Sequence, residues 1–250
     1  MAALVEHYGL LSLIGVVLVA LVTSSVHGAT GVAGGFLLSA ALAPIIGVAP
    51  IVPVVSVSLL ISHSTRALLN MKDFHRSAFL AVSVPAIPCI VLMSLIYGRM
   101  SSSMIALVLG LVILASIPLR RWAKSRQIKT SRNTLSGVGA IYGTLSGVSI
   151  GPGMLLVPFM LGYGLRKEQF VATLAVIALL TNITRVSVFG ATDLLSSQYI
   201  FIGVLCGLAT IPGNWIGRTM LRRMTNESHS GLVDVLTVLG ALNFFWLSAQ

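Results

Sequence analysis

Charged residues punctuate this chain so sparsely that the uncharged stretches between them define its organisation. Residues 7–65 hold no Asp, Glu, Lys or Arg, and further uncharged stretches cover 77–98, 100–119, 133–165, 169–184, 194–217 and 235–250. A helix that crosses a bilayer needs about 20 apolar residues, within a range of roughly 17–25. Most of these stretches therefore predict one membrane helix each. The first is long enough for three, but Gly28, Gly31, Gly34 and Gly35 and the prolines Pro44, Pro50 and Pro53 interrupt it. Stretch 133–165 is too long for one span and short for two, and Gly147, Gly151, Pro152 and Gly153 break it. Both regions predict a pair of half-helices or shortened helices around an unwound glycine-rich turn.

The two broken regions are related. GVAGGFLL (31–38) leads through an apolar run to SHSTR (62–66) and KDF (72–74), while GVSIGPGMLL (147–156) leads to TNITR (181–185) and TDL (192–194). The Gly35 to Arg66 and Gly153 to Arg185 spacings differ by one residue, as do Arg66 to Asp73 and Arg185 to Asp193. Landmarks in one order at nearly one spacing predict an internal duplication. The expected organisation is one integral membrane domain, with a first repeat at 1–119, a basic linker at 120–134 and a second repeat at 135–250. Each repeat is expected to hold a Gly-broken or re-entrant helix pair followed by three transmembrane helices, for about 8–10 membrane segments in all. The fold class is an all-α polytopic membrane protein.

Composition supports this class. Of the 250 residues 56% are hydrophobic and 9% charged, with a mean hydropathy of +0.98. Soluble domains carry about 25% charged residues, so a water-facing surface cannot be covered here. That excludes a soluble globular domain, a disordered chain and a disulfide-framed secreted module. Cys89 and Cys206 stand alone in apolar runs and predict neither a disulfide nor a metal site, and no cofactor is expected. The N-terminal MAALVEHYGLL has an acid and no Lys or Arg, so no cleavable signal peptide is expected.

A net charge of +10 would suit a nucleic-acid partner, but the placement of the basic residues gives it another meaning. Arg120, Arg121, Lys124, Arg126, Lys129 and Arg132 put the linker in the cytoplasm by the positive-inside rule. Single spans outward from it place loop 70–76, loop 218–230, Arg166 and Lys167 inside. They place loop 98–103, loop 190–197 and both termini outside. Corresponding loops of the two copies then fall on opposite sides, so the repeats are inverted. Inverted repeats with broken helices meeting at the midplane are the build of many secondary transporters, which work by alternating access.

The chemistry on offer points to an anion. A glycine turn at a half-helix start exposes backbone N–H groups and a partial positive charge. Gly31, Gly34 and Gly35, and Gly147, Gly151 and Gly153, occupy such positions, where the competing role is close helix packing. Ser62, His63, Thr65 and Arg66 correspond to Thr181, Asn182, Thr184 and Arg185, and together offer hydroxyl, imidazole, amide and guanidinium donors. The alternative for the two arginines is snorkelling toward the interface. No acid falls within an uncharged run, so a carboxylate relay or cation site is not expected. His27 and His63 are the candidates for proton coupling, with helix contacts as their other role, and Tyr142 is a weaker candidate. Asp73 and Asp193 read as caps of the helices that follow. Trp122, Trp215 and Trp246 read as interfacial anchors.

A Gly-rich break, an apolar run, a Ser/Thr patch and a short loop with an Asp, repeated in two halves, resemble the sulfite exporter TauE/SafE family of membrane permeases. Pro152 within the second glycine cluster, and Arg66 and Arg185 at the ends of the polar patches, depart from the family pattern. The resemblance implies a bacterial inner-membrane permease for sulfite, organosulfonates or related small sulfur oxyanions; no metal-ligand spacing, Ser/His/Asp set, haem ligand pair or P-loop in the sequence predicts an enzyme. The expected partners are a small anion, the bilayer and protons as coupling ion, with no nucleic acid; a homo-oligomer is compatible. The competing function is an anion channel or an accessory membrane subunit.

Overall fold

The computed structural model describes residues 10–30, 34–125, 129–221 and 226–249. Among them the regular structure is helical, without a strand. In chain order the helices are α1 (Leu10–Thr30), α2 (Gly34–Ile46), α3 (Ile51–Asn70), α4 (Arg76–Tyr97), α5 (Ser102–Ser125), α6 (Arg132–Val148), α7 (Leu156–Gly162), α8 (Lys167–Ala191), α9 (Ser197–Leu221) and α10 (Asn226–Ser248). Met71–Asp73 and Pro152–Leu155 form 3-10 turns.

The outward faces are apolar. Ile14, Leu18 and Val22 of α1, Leu107 and Leu111 of α5, Val204 and Leu208 of α9, and Val235, Leu239 and Leu242 of α10 are exposed at successive helical turns. Water would oppose such stripes, whereas acyl chains match them. Segments Ile51–Asp73, Arg76–Tyr97 and Glu168–Ala191 are each long and apolar enough to cross a bilayer. The chain is a multi-pass α-helical membrane protein. Trp215 and Trp246 also face outward, while the side chain of Trp122 lies outside the described set. Inside the helices, Thr23, Ser39, Ser56, Thr181 and Thr184 each donate to the carbonyl four residues back. That bond removes a hydroxyl that hydrocarbon could not solvate.

Two helices are too short to cross. α2 has 13 residues, about 20 Å at 1.5 Å per residue, against a hydrocarbon core of about 30 Å. α7 with its preceding 3-10 turn is shorter still. α2 is buried from Gly34 to Ala40, and the Asn243 amide of α10 donates to its Ala40 carbonyl at 2.8 Å. The starts of the two short segments meet: a β-carbon on Gly35 would sit 2.7 Å from Ile150, and one on Gly151 would sit 3.4 Å from Phe36. Gly151 has φ +97°, the left-handed conformation that glycine takes without strain, and this reverses the chain between α6 and Pro152.

Packing pairs helices that lie before and after the basic segment at 120–134. α4 runs along α6, α1 along α9, α5 along α10 and α3 along α8. The α4–α6 contact is close, because Gly139, Gly143 and Gly147 recur every four residues on one face of α6. A β-carbon at Gly139 or Gly143 would strike the Val82 or Ala86 carbonyl of α4, and one at Gly147 would strike Met93. Small residues at this spacing let backbones approach where lipid supplies no hydrophobic drive between helices.

Helix starts follow local chemistry. Ser101, Ser131 and Ser196 accept from backbone N–H groups of Met104, Thr134 and Tyr199. The reading of Asp73 and Asp193 as caps is corrected: Asp73 ends a 3-10 turn, and the cap of α4 is His75, whose Nδ1 accepts from Ala78 N. Asp193 closes the helix before it. Its φ of 56° and the bond from Leu194 N to Phe189 O end α8 in a left-handed turn, a geometry that Asp tolerates better than most residues.

The loops gather at two ends. At one, the His75 and Tyr163 rings lie 6.2 Å apart, Ser77 meets the Tyr163 hydroxyl at 3.1 Å, and Thr130 N donates to Gly162 O. This end carries Lys72, Arg76, Lys129, Arg132 and Arg166. At the other, the Tyr97 hydroxyl donates to Ala49 O at 2.8 Å and Gly98 packs on Leu194, beside Arg99 and Asp193.

The glycine face of α6 makes a direct prediction. Gly143→Val, which drives a side chain into α4 backbone, should lower stability by at least about 1–3 kcal/mol. Gly137→Ala, on the open face of the same helix, should be neutral or stabilising by up to about 1 kcal/mol, since Ala is the better helix former. Unfolding of both variants in detergent checks this, and equal losses would show that the α6 glycines are not packing positions.

Candidate functional site

α6 stops at Val148, in the interior, where its last carbonyls lack helical partners. Arg185 of α8 supplies them. One terminal nitrogen of its guanidinium, Nη1, donates to Ser146 O at 3.0 Å and to Ser149 O at 2.8 Å. The other, Nη2, donates to Asn182 Oδ1. Arg185 is 3% exposed, so the snorkelling alternative does not describe it. A cation at a helix C-terminus also opposes the partial negative charge there.

Beside this contact lies a cavity of about 80 Å³. It is lined by Leu59, His63 and Arg66 of α3, Tyr142 and Ser146 of α6, and Leu174, Ala178, Thr181, Asn182 and Arg185 of α8. Gly35 and the turn Ile150, Gly151, Pro152 and Gly153 complete its lining. The polar wall is ordered by hydrogen bonds. Thr181 donates to Ile177 O at 2.9 Å, so the Tyr142 hydroxyl, 3.0 Å away, donates to Thr181. Asn182 donates to Ala178 O at 2.7 Å, which turns its oxygen toward Arg185. Arg185 Nε and the Ser146 hydroxyl are buried there without a protein partner. Two arginines and a histidine face the cavity, and no carboxylate does among the described residues. In a low-dielectric setting such a site favours anions and repels cations.

The structure thus brings together Gly35, His63, Arg66, Gly151, Gly153, Thr181, Asn182 and Arg185 from both halves of the chain. Gly34, Ser62, Thr65, Gly147 and Thr184 do not line the cavity. Gly34 and Ser62 are buried in the helix packing, Thr65 is exposed and bonds Ile61 O, Thr184 bonds Leu180 O, and Gly147 is pressed against α4. Gly31 and the side chain of His27 lie outside the described residues. Ser146 was not singled out from the sequence. Its signal was the four-residue spacing from Tyr142 toward the glycine break, which puts both on one helical face.

These features define a polytopic helical membrane protein with a positively charged interior cavity where two broken segments meet. The family model described as sulfite exporter TauE/SafE matches residues 16–244, and the chain belongs to that family of membrane transporters. Comparisons with curated proteins and with solved structures give no match.

Arg185→Met should destabilise the protein, because Ser146 O, Ser149 O and Asn182 Oδ1 lose their donor at about 1–3 kcal/mol for each group left unsatisfied. Tyr142→Phe should cost only about 1 kcal/mol, since Thr181 keeps its bond to Ile177. Thermal unfolding in micelles ranks the two. A smaller loss for Arg185→Met than for Tyr142→Phe would show that the arginine does not hold the break.

Proposed function

We propose that the chain moves small sulfur oxyanions across the membrane as a secondary transporter, with the cavity as its central site. The observation that carries this reading is a cavity lined by Arg66 and Arg185, with no carboxylate facing it among the described residues, in which a buried guanidinium keeps one N–H without a protein acceptor. Arginine suits sulfur oxyanions because its planar donors match their oxygens. Pockets for drug-sized ligands run to roughly 300–1,000 Å³, so a cavity of about 80 Å³ fits a small inorganic oxyanion better than a long organosulfonate. His63 lies on the same wall and is the group we assign to proton coupling.

Alternating access rests on two inverted repeats, α1–α5 and α6–α10. Packing in matched pairs supports this reading: α4 on α6 has its counterpart in α9 on α1, and α4 on α8 in α9 on α3. α3 on α8 and α5 on α10 each join a helix to its own counterpart. A two-fold relation between the repeats generates that pattern. Concentration of Lys72, Arg76, Lys129, Arg132 and Arg166 at one end supports placing it in the cytoplasm of a bacterial inner membrane, with the termini outside.

Sulfite titrated into the purified protein should raise its melting temperature, by the equivalent of about 2.7 kcal/mol at one hundred times Kd. Arg66→Gln and Arg185→Gln should each weaken binding at least tenfold, a 1.4 kcal/mol effect. His63→Asn should keep binding but flatten the pH dependence of uptake between about pH 5 and 8. Wild-type affinity in both arginine variants would remove the cavity as the anion site. For orientation, Lys129→Cys in a background lacking Cys89 and Cys206 should resist an impermeant maleimide in intact cells and react in inverted vesicles. Labelling of intact cells would reverse the topology.

A further inference from the structure

Arg185 uses its two terminal nitrogens on the protein and retains Nε–H, and Ser146, one of the residues that accept from it, carries a buried hydroxyl without a partner. The carbonyl of Ser146 holds the arginine, and its hydroxyl makes no bond to the carbonyl four residues back, unlike Thr181 and Thr184 on α8. Ser146 is 1% exposed and Arg185 3% exposed, so neither donor is answered by bulk water. A buried donor left unanswered is costly, and both of these donors belong to residues that line the cavity.

We propose that Ser146 Oγ–H and Arg185 Nε–H form a two-point subsite for a ligand carrying two acceptor oxygens on one centre. Bound there, the ligand joins α6 to α8 beside the existing cap and tightens the break in α6. This deepens the transport reading and rests on it. Charge complementarity alone would admit chloride as readily as an oxyanion. The serine hydroxyl adds a directional demand that a second oxygen meets and that a monatomic ion touching the guanidinium does not. Ser146 is therefore a specificity-determining residue, and Arg185 both binds and positions. No bond is made or broken, and no proton need change hands.

The experiment is a thermal-shift and calorimetric titration of sodium sulfite, sodium sulfate and sodium chloride into the full-length protein and its Ser146→Ala and Ser146→Thr variants. Without added anion, Ser146→Ala should melt at or above the wild-type temperature, because it deletes a buried hydroxyl that has no partner while leaving the backbone cap in place. With sulfite or sulfate, its affinity should fall about tenfold or more and its preference over chloride should shrink; Ser146→Thr, which keeps a hydroxyl, should restore both. Wild-type oxyanion affinity in Ser146→Ala, with binding still lost in Arg185→Gln, would overturn the subsite and leave the transport reading standing. Failure of Ser146→Ala to fold would also overturn it, since the hydroxyl would then be structural. Absence of any oxyanion effect on the wild-type protein would remove the transport reading itself.

Discussion

The structure turns on one interaction: the Arg185 guanidinium placed against the free carbonyl end of α6. Hydrocarbon cannot solvate a carbonyl, so a helix can stop inside a membrane only where protein or enclosed water answers its last C=O groups. Arg185 answers Ser146 and Ser149 from a different helix. That lets α6 end at Val148 and the chain reverse through Gly151 into a short apolar helix. The same contact holds a cation at the cavity wall, which no acid among the described residues faces. Helix termination and the positive charge of the cavity wall are thus two consequences of one buried guanidinium.

Close packing sets where that charge lands. The glycine stripe of α6 allows its backbone to lie on α4, and Gly203 and Gly207 let α9 approach Val57 and Ile61 of α3 in the same way. In lipid the attraction between helices comes from contact and hydrogen bonding, so a methyl group on such a face would move a whole helix. Glycines of one short motif consequently do different work. In the segment 147–153, Gly147 is a packing position against Met93, Gly151 is a conformational one, and Gly153 has ordinary contact with Leu174 and borders the cavity.

Much of the site was legible because similar patches recur at nearly one spacing in the two halves of the chain. The matching of Arg66 with Arg185 and of His63 with Asn182 by spacing selected residues that converge on one cavity. What spacing could not separate was the inward from the outward face of each patch. Ser62, Thr65 and Thr184 share their segments with cavity residues yet turn elsewhere, because at about 100° per residue a five-residue patch winds more than once around its helix. Snorkelling and burial of Arg185 were likewise indistinguishable in sequence. Both need an arginine near the end of an uncharged stretch, and only the neighbouring helix end decides between them.

The sequence by itself determined the helical membrane class, the two broken regions and the basic clusters, because lipid, chain reversal and membrane sidedness each act on local composition. The capped end of α6, the unanswered hydroxyl of Ser146 and the different environments of Arg66 and Arg185 were decided only by tertiary structure. Each is a relation between helices distant in the chain, here 36 and 39 residues apart for the bonds of Arg185. A hydrogen bond across that separation exists only once packing has brought donor and acceptor within about 3 Å.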